Sequence, residues 1–313
     1  MAFWRVIQMI SLRSGKKNYK GKKYGIIRRN TPHCGLFSFF IVILGGINKC
    51  IEEGLIPIID MQTYKNPYLE SEQVGKSNAW EFWFMQPMGI GLDQVKMSET
   101  VIIDADKDIP ENCRPVISMD FLTNPYALCY WRNICKKYIK IKPDVAEVLV
   151  ERKKTILDSA DGKILGVLCR GTDYLLLKPQ GHPVQPDDEE VIVKAKEIME
   201  ERKCQNIFLA TEDNDIFQRF RQVFGDRLLE NPQQRYSGVS GHLLADIMET
   251  DKTNKMENGL NYLTSVYLLS KCDCLIAGRV SGLLGTLLLG GEYEYSYFWN
   301  YGVYGQNYTT YEE

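Results

Sequence analysis

The stretch Lys163-Ile164-Leu165-Gly166-Val167-Leu168-Cys169-Arg170-Gly171-Thr172-Asp173-Tyr174 decides how the chain reads. Its apolar part shows no polar alternation, which suits a strand buried on both faces, as in a parallel sheet. The strand then gives way at once to an arginine. A guanidinium beside a buried strand end is costly unless it meets an anion. Its planar fork matches a phosphate through two parallel hydrogen bonds. A structural bridge to Asp173 or Glu212 would satisfy it equally well. These residues alone leave both readings open.

Downstream the pattern repeats. Residues 187–203 read as a helix with an acidic first turn, which suits the helix dipole. A strand follows at 206–210 and a helix at 213–224. Residues 257–270 read as a helix, 273–277 as a strand and 281–289 as a last helix. Open α/β sheets bind ligands beyond the carboxyl ends of their strands. Three loops leave such ends: Arg170-Gly171-Thr172-Asp173-Tyr174, Thr211-Glu212-Asp213 and Gly278-Arg279-Val280-Ser281-Gly282. Ser281 and Gly282, at a helix N-terminus, would offer backbone N–H groups to the anion that Arg170 holds. Neither a Walker A loop nor G-x-G-x-x-G is present, which argues against a P-loop NTPase or a dinucleotide enzyme of the usual type.

Upstream, 23–27 reads as a strand, 35–53 as a helix closed by Gly54, and 55–60 as a buried strand ending on Asp60. Strand, helix, strand suggests a crossover unit. Helices are expected at 124–139 and 143–158, before the break at Asp161-Gly162. The fold class is therefore α/β with two Rossmann-like lobes. The expected division is 1–160, 161–291, and an aromatic tail at 292–313 that packs back on the first lobe.

Composition narrows the class further. The chain has 313 residues, 44% hydrophobic and 25% charged, with net charge -2. This is the profile of a soluble globular protein, without the basic field that would point to nucleic acid. Nine cysteines, an odd number set mostly in apolar runs, suit thiols in a reducing, cytoplasmic compartment better than a disulfide framework. Cys272-Asp273-Cys274 has no second pair nearby, so it reads as buried thiols rather than zinc ligands. Residues 34–47 are strongly apolar but shorter than the roughly 20 residues a membrane span needs. Residues 1–10 are apolar apart from Arg5 and Gln8 and precede Arg13, Lys16, Lys17, Lys20, Lys22 and Lys23. That order is the reverse of a signal peptide. It leaves an ordinary element with a polar loop, or a short amphipathic segment making peripheral membrane contact.

On these residues a resemblance stands out. Val167-Leu168-Cys169-Arg170-Gly171-Thr172-Asp173 is similar to the arginine motif of the alpha-1,6-fucosyltransferases and their relatives, a GT-B superfamily. His182-Pro183 falls at their spacing after the arginine. Ile207 to Asp213 resembles their next strand and acidic loop, and Tyr267 to Asp273 with Ser281 their last motif. Arg170-Gly171-Thr172-Asp173-Tyr174 with His182-Pro183-Val184-Gln185-Pro186 resembles glycosyltransferases of bacterial surface-polysaccharide clusters. The resemblance implies a GT-B fold with the donor site in the C-terminal lobe. It also implies inverting, metal-independent transfer from a nucleotide sugar, commonly GDP-fucose, to a glycan or lipid-linked glycan acceptor. The nucleotide sugar is then a co-substrate, and no cofactor is expected. Donor binding falls to Arg170, Gly171, Thr172, Thr211, Glu212, Asp213, Arg279, Ser281 and Gly282.

Three positions depart from the family pattern. Leu168 stands where a histidine is expected and Ser265 where an aspartate is expected, both of which help hold guanine in those enzymes. Lys178 stands at their proposed catalytic glutamate, and a protonated lysine cannot accept a proton. Asp173 and His182 become the candidates for that step beside Arg170, with a degenerate, non-catalytic sugar-nucleotide binder as the alternative. Asp104-Ala105-Asp106 has the spacing of a metal motif but lies outside the expected donor lobe, so a solvated loop is the expectation. Glu81 within Ala79-Trp80-Glu81-Phe82-Trp83-Phe84 could face a sugar, although such a run is more often core.

Overall fold

The structure is a computed structural model that describes residues 23–96, 98–237 and 254–305. The segment 1–10 and the basic residues through Lys22 lie outside the described residues, as do 306–313.

Two parallel sheets organise the chain. In the first, β1 (Tyr24–Arg28) lies between β2 (Ile56–Asp60) and β4 (Thr100–Asp104). The register sets Arg28 beside both Asp60 and Asp104 at the carboxyl ends. Helix α1 (Leu36–Glu52) links β1 to β2, as the strand-helix-strand reading expects. Thirteen of its 17 residues are buried. An amphipathic surface helix would hide only one stripe, so α1 is enclosed on nearly every side. The short strands β3 (Phe84–Met85) and β5 (Lys140–Ile141) pair antiparallel. Helices α2 (Met119–Leu122), α3 (Pro125–Tyr138) and α4 (Pro143–Ile156) lead to the second sheet.

The second sheet has the order β10-β9-β6-β7-β8, all parallel. Its strands are β6 (Lys163–Leu168), β7 (Cys204–Ala210), β8 (Leu228–Glu230), β9 (Cys274–Ala277) and β10 (Tyr295–Phe298). Its helices are α5 (Thr172–Leu177), α6 (Asp188–Arg202), α7 (Asn214–Phe224), α8 (Lys255–Leu269) and α9 (Ser281–Leu288). Asp187 caps α6 through a capping box with Glu190, so the acidic first turn serves the helix end directly.

One hydrophobic core runs from Ile27 and α1 through Trp83 to α8 and α9. Phe37 of α1 meets Tyr262 of α8 edge-on at 5.1 Å. Polar contacts cross the same junction. Trp83 Nε1 donates to Met256 O at 3.1 Å, Arg132 Nε to Leu287 O at 2.7 Å, and Lys255 Nζ to Leu69 O at 3.1 Å.

The described part of the aromatic tail lies along the second sheet. Residues 295–298 add β10 beside β9, Trp299 joins that sheet's own core, and Tyr293 and Phe298 pack against the core that contains α1. The period-2 row Tyr295, Tyr297, Trp299 is the alternation of a half-buried strand, which explains where it lies. Among the described residues no helix is long and apolar enough to cross a membrane. The nine cysteines are thiols, six of them buried. Cys272 is pushed well up by burial, which leaves it an inert packing group.

Candidate functional site

Strand register assembles the site. Leu168 at the end of β6 pairs with Ala210 of β7 on one side and Ala277 of β9 on the other. Adjacent strands lie about 4.8 Å apart, so the three sequence-predicted loops leave the sheet side by side. The ladder runs past the strands, with Cys169 N donating to Ala210 O at 3.1 Å and Gly278 N to Leu168 O at 3.3 Å.

Gly171, the N-cap of α5, donates its N–H to Glu212 Oε1 at 2.8 Å. Arg170 Nε lies 3.4 Å from the same oxygen, and its guanidinium stacks over Tyr174 at 4.9 Å. The bridge to Glu212 is thus the contact formed, and it leaves the guanidinium partly exposed. A Cβ on Gly171 would come within 2.6 Å of Asp213 Cβ and 3.1 Å of Glu212 Oε1. Gly171→Ala is therefore expected to force the first two loops apart, lowering stability by about 1–3 kcal/mol and weakening anion binding at Arg170. Thermal melts with and without ligand measure both.

His182 joins this cluster from the loop after α5. Its Nδ1 is 3.1 Å from Tyr174 Oη, and the two rings meet edge-on at 5.3 Å. Partial burial, with the positive charge of Arg170 added, pushes the imidazole below its usual value of 6.5. A residue that follows the first sheet also lies near Arg170. Tyr68, from the loop after β2, accepts the α1 N–H of Leu36 at 2.6 Å. The hydroxyls of Tyr68 and Tyr262 are pushed up by burial, and both feel the charge of Arg170. Tyr262 Oη also lies against Gly282, 2.7 Å from where a Cβ would stand. Arg170, His182, Tyr174, Tyr262 and the start of α9 therefore surround one region at the carboxyl end of the second sheet.

The remaining candidates divide. Ser281 and Gly282 open α9 as expected. Asp213 is buried and caps α7, its Oδ1 accepting from Asp215 N at 2.8 Å and Ile216 N at 3.0 Å. Thr211 is buried, and its hydroxyl accepts from Asp213 N at 3.2 Å. Both shape the loop. Arg279 is buried and donates through Nη2 to Gly302 O at 2.7 Å. Thr172 and Asp173 begin α5, and their side chains lie outside the described residues.

The positions that depart from the family pattern also find places. Leu168 is buried at its strand end. Ser265 sits in a buried polar network, receiving Asn231 Nδ2 at 3.2 Å and donating to Gln233 Oε1 at 3.1 Å. Lys178 ends α5 in the left-handed conformation, φ 44°, with its N–H on Tyr174 O. The Asp104-Ala105-Asp106 loop is held by contacts of its own, with Asp106 accepting from Arg29 Nε at 2.9 Å and Thr31 Oγ1 at 2.6 Å. No group of three or more metal-type ligands occurs among the described residues. Trp80, Trp83 and Phe84 are core, while Glu81 faces outward and accepts from Gln86 at 2.7 Å.

Sequence spacing did not reveal the strap formed by residues 181–184 and 302–304. Gly181 N donates to Tyr304 O, Tyr304 N to His182 O and Val184 N to Gly302 O. Gln185, buried, ties the same strap to the third loop through Nε2, donating to Pro183 O at 2.9 Å and Arg279 O at 3.2 Å. The tail thus fixes both the histidine loop and the Arg279 loop.

No family model and no curated protein matches the chain. Solved structures do. A crystal structure of NodZ alpha-1,6-fucosyltransferase soaked with GDP-fucose aligns with a TM-score of 0.50 and 15% identity, covering 86% of this chain and 93% of that one. The fucosyltransferase NodZ from Bradyrhizobium aligns with the same score and identity over 86% and 94%. The fold is GT-B. At this identity the likeness is one of fold, and the chemistry has to be argued from the residues.

Proposed function

We propose that the chain is a glycosyltransferase that moves a sugar from a nucleoside-diphosphate donor to a glycan acceptor with inversion and without a metal. The observation that carries this reading is the convergence of Arg170, Gly171 and the α9 N-terminus at the carboxyl end of the second sheet. An anion there would meet a guanidinium and helix N–H groups, which suit the charge that develops on a leaving diphosphate. The neighbouring structure of NodZ was soaked with GDP-fucose, so GDP-fucose is the first donor to try. Ser265 and Leu168 in place of the expected base contacts make UDP, dTDP and CMP sugars necessary comparisons. The proposed division is a first lobe of residues 1–160, on the acceptor side, and a second lobe from 161 that binds the donor.

His182 takes the part that Lys178 cannot. If its Nδ1–H donates to Tyr174 Oη, the lone pair on Nε2 is the one that accepts the acceptor's proton. This works only while the ring is neutral. Since its value lies below 6.5, the ring is neutral at pH 7. The acid limb of the rate profile is therefore expected below pH 6.5, and His182→Gln should remove that limb and slow transfer by about 10²–10⁴-fold. The stability sign agrees. The unfolded chain binds the proton more readily, so this contribution is present above pH 6.5 and is lost as pH falls toward the lowered folded value. A pH-rate profile together with melts across pH 5–8 measures both.

The deciding experiment is a thermal-shift screen of GDP, UDP, dTDP and CMP sugars, followed by a transfer assay over an acceptor panel. If nucleotides bind but nothing is transferred, the chain is the degenerate binder. If no nucleotide shifts the melt, the donor site is refuted.

A further inference from the structure

A second concavity lies outside the cluster around Arg170. It opens between α6 and the aromatics of β10 and the residues just after it, and it holds about 370 Å³. It is open to solvent rather than enclosed, so it suits a chain lying along the surface better than a small molecule buried in a cleft. Its lining includes Tyr297, Trp299 and Tyr301 from the strand side, and Glu189, Glu190 and Lys194 from the helix. Tyr301 is 46% exposed, and its hydroxyl donates to Glu190 Oε1 at 2.8 Å. The ring is thus held in place with much of its surface open.

Aromatic rings attract groups with positive edges, which include cations and the C–H faces of sugar rings. The contacts inside the groove choose between them. Lys194 Nζ already sits 4.8 Å from the centre of the Tyr297 ring and pairs with Glu197 at 2.8 Å. At the Tyr297 ring an incoming cation would meet this ammonium. A hydroxyl-bearing ring meets no such conflict, because carboxylates accept its hydroxyls in short charge-assisted bonds. An anionic saccharide would be repelled by Asp187, Glu189, Glu190 and Glu197.

Position adds to chemistry. The groove ends at Tyr301, and the next residue, Gly302, accepts from both Arg279 and Val184. Residues 302–304 carry the strap that holds His182. Tyr301 in the groove is therefore the chain neighbour of the strap that holds His182. We infer that this groove binds the non-reacting part of a neutral oligosaccharide acceptor, with Tyr301 as its stacking platform. The role as acceptor subsite rests on the proposed transfer activity, whereas saccharide binding itself does not.

Calorimetric titration of the full chain tests this, using chitotetraose, cellotetraose and β-1,4-galactotetraose, with tetragalacturonate and pentalysine as charged comparisons. Binding of at least one neutral tetrasaccharide is expected. Tyr301→Ala should weaken it about tenfold or more, while Tyr301→Phe retains most of it. Tetragalacturonate and pentalysine should not bind. Tyr301→Ala should leave the melting shift from nucleotide sugars unchanged, which also shows that it folds. The inference is overturned if no neutral tetrasaccharide binds, if Tyr301→Ala binds as well as the parent chain, or if pentalysine binds through Tyr301. If saccharides bind through Tyr301 while nucleotide sugars give no shift, the groove stands and the transfer reading fails.

Discussion

Replacing Arg170 with alanine is expected to lower kcat/KM for transfer by about 10²–10³-fold and to abolish the melting shift from nucleotide sugars, while the chain stays folded. The size follows from what the guanidinium would do. A dissociating nucleoside diphosphate gains negative charge, and a positioned donor at its phosphates stabilises that charge more than the ground state. The fold should survive because the Arg170–Glu212 pair is partly exposed, and such a pair contributes less than about 1 kcal/mol. Arg170→Lys separates charge from geometry. Lysine keeps the charge but loses the fork that grips two oxygens and the flat face that stacks over Tyr174. It should recover only a small part of the lost rate. A variant lacking Arg170 that keeps its parent kcat/KM and its nucleotide-induced shift would refute the donor site. A large loss of unliganded melting temperature would instead mean that Arg170 serves mainly as a bridge.

The parts legible in the sequence were those decided by local pattern. The apolar run before Arg170 and the strand-helix-strand unit before Asp60 each show as continuous buried segments, and both sheets formed where those segments placed them. The three loops could be named in advance because strand ends fix loop origins. What escaped notice depends on chain segments far apart. Tyr68, Tyr174 and Tyr262 come from three elements and come near Arg170 only after folding, so no spacing marks them. β4 was missed although Val101-Ile102-Ile103 is a β-branched run. Only Ile103 of these three is buried, so the run carries little of the burial pattern that marks a core strand. The tail shows a different limit. Its alternation of tyrosines is a strand signal, but alternation says which face is covered and not which sheet covers it. Asp213 shows the limit of reading a loop by its chemistry, since a carboxylate just before a helix is as natural a cap as a ligand contact.

The largest effect on stability is expected from Gly285→Ala, because the join between the two sheets depends on α1 and α9 coming close. A Cβ at Gly285 would fall 2.1 Å from Phe37 Cδ1 and 2.3 Å from Cε1. Real side-chain carbons do not approach so near, and this ring has nowhere to go. Phe37 is fully buried, with Phe40 at 5.4 Å on one side and Tyr262 at 5.1 Å on the other. The added methyl must therefore push α9 from α1 or turn Phe37 off its rotamer, at a cost of about 3 kcal/mol. For a chain of this size that is a fall in Tm of roughly 4–5 °C. Phe37→Leu in the same chain makes room for the methyl, so the double variant should melt above the sum of the two single losses. The site should register the change as well. Tyr262 packs against both Phe37 and Gly282, so a displaced Phe37 carries the disturbance to the start of α9, and nucleotide affinity should fall with stability. Differential scanning calorimetry of the four chains tests the packing claim, and nucleotide titrations on the same samples test the link to the site. A Gly285→Ala chain that melts within about 1 °C of its parent would show that α1 and α9 do not hold the close contact described. A chain that loses stability but binds nucleotide unchanged would confine the contact to packing and remove Tyr262 as the path between the junction and the site.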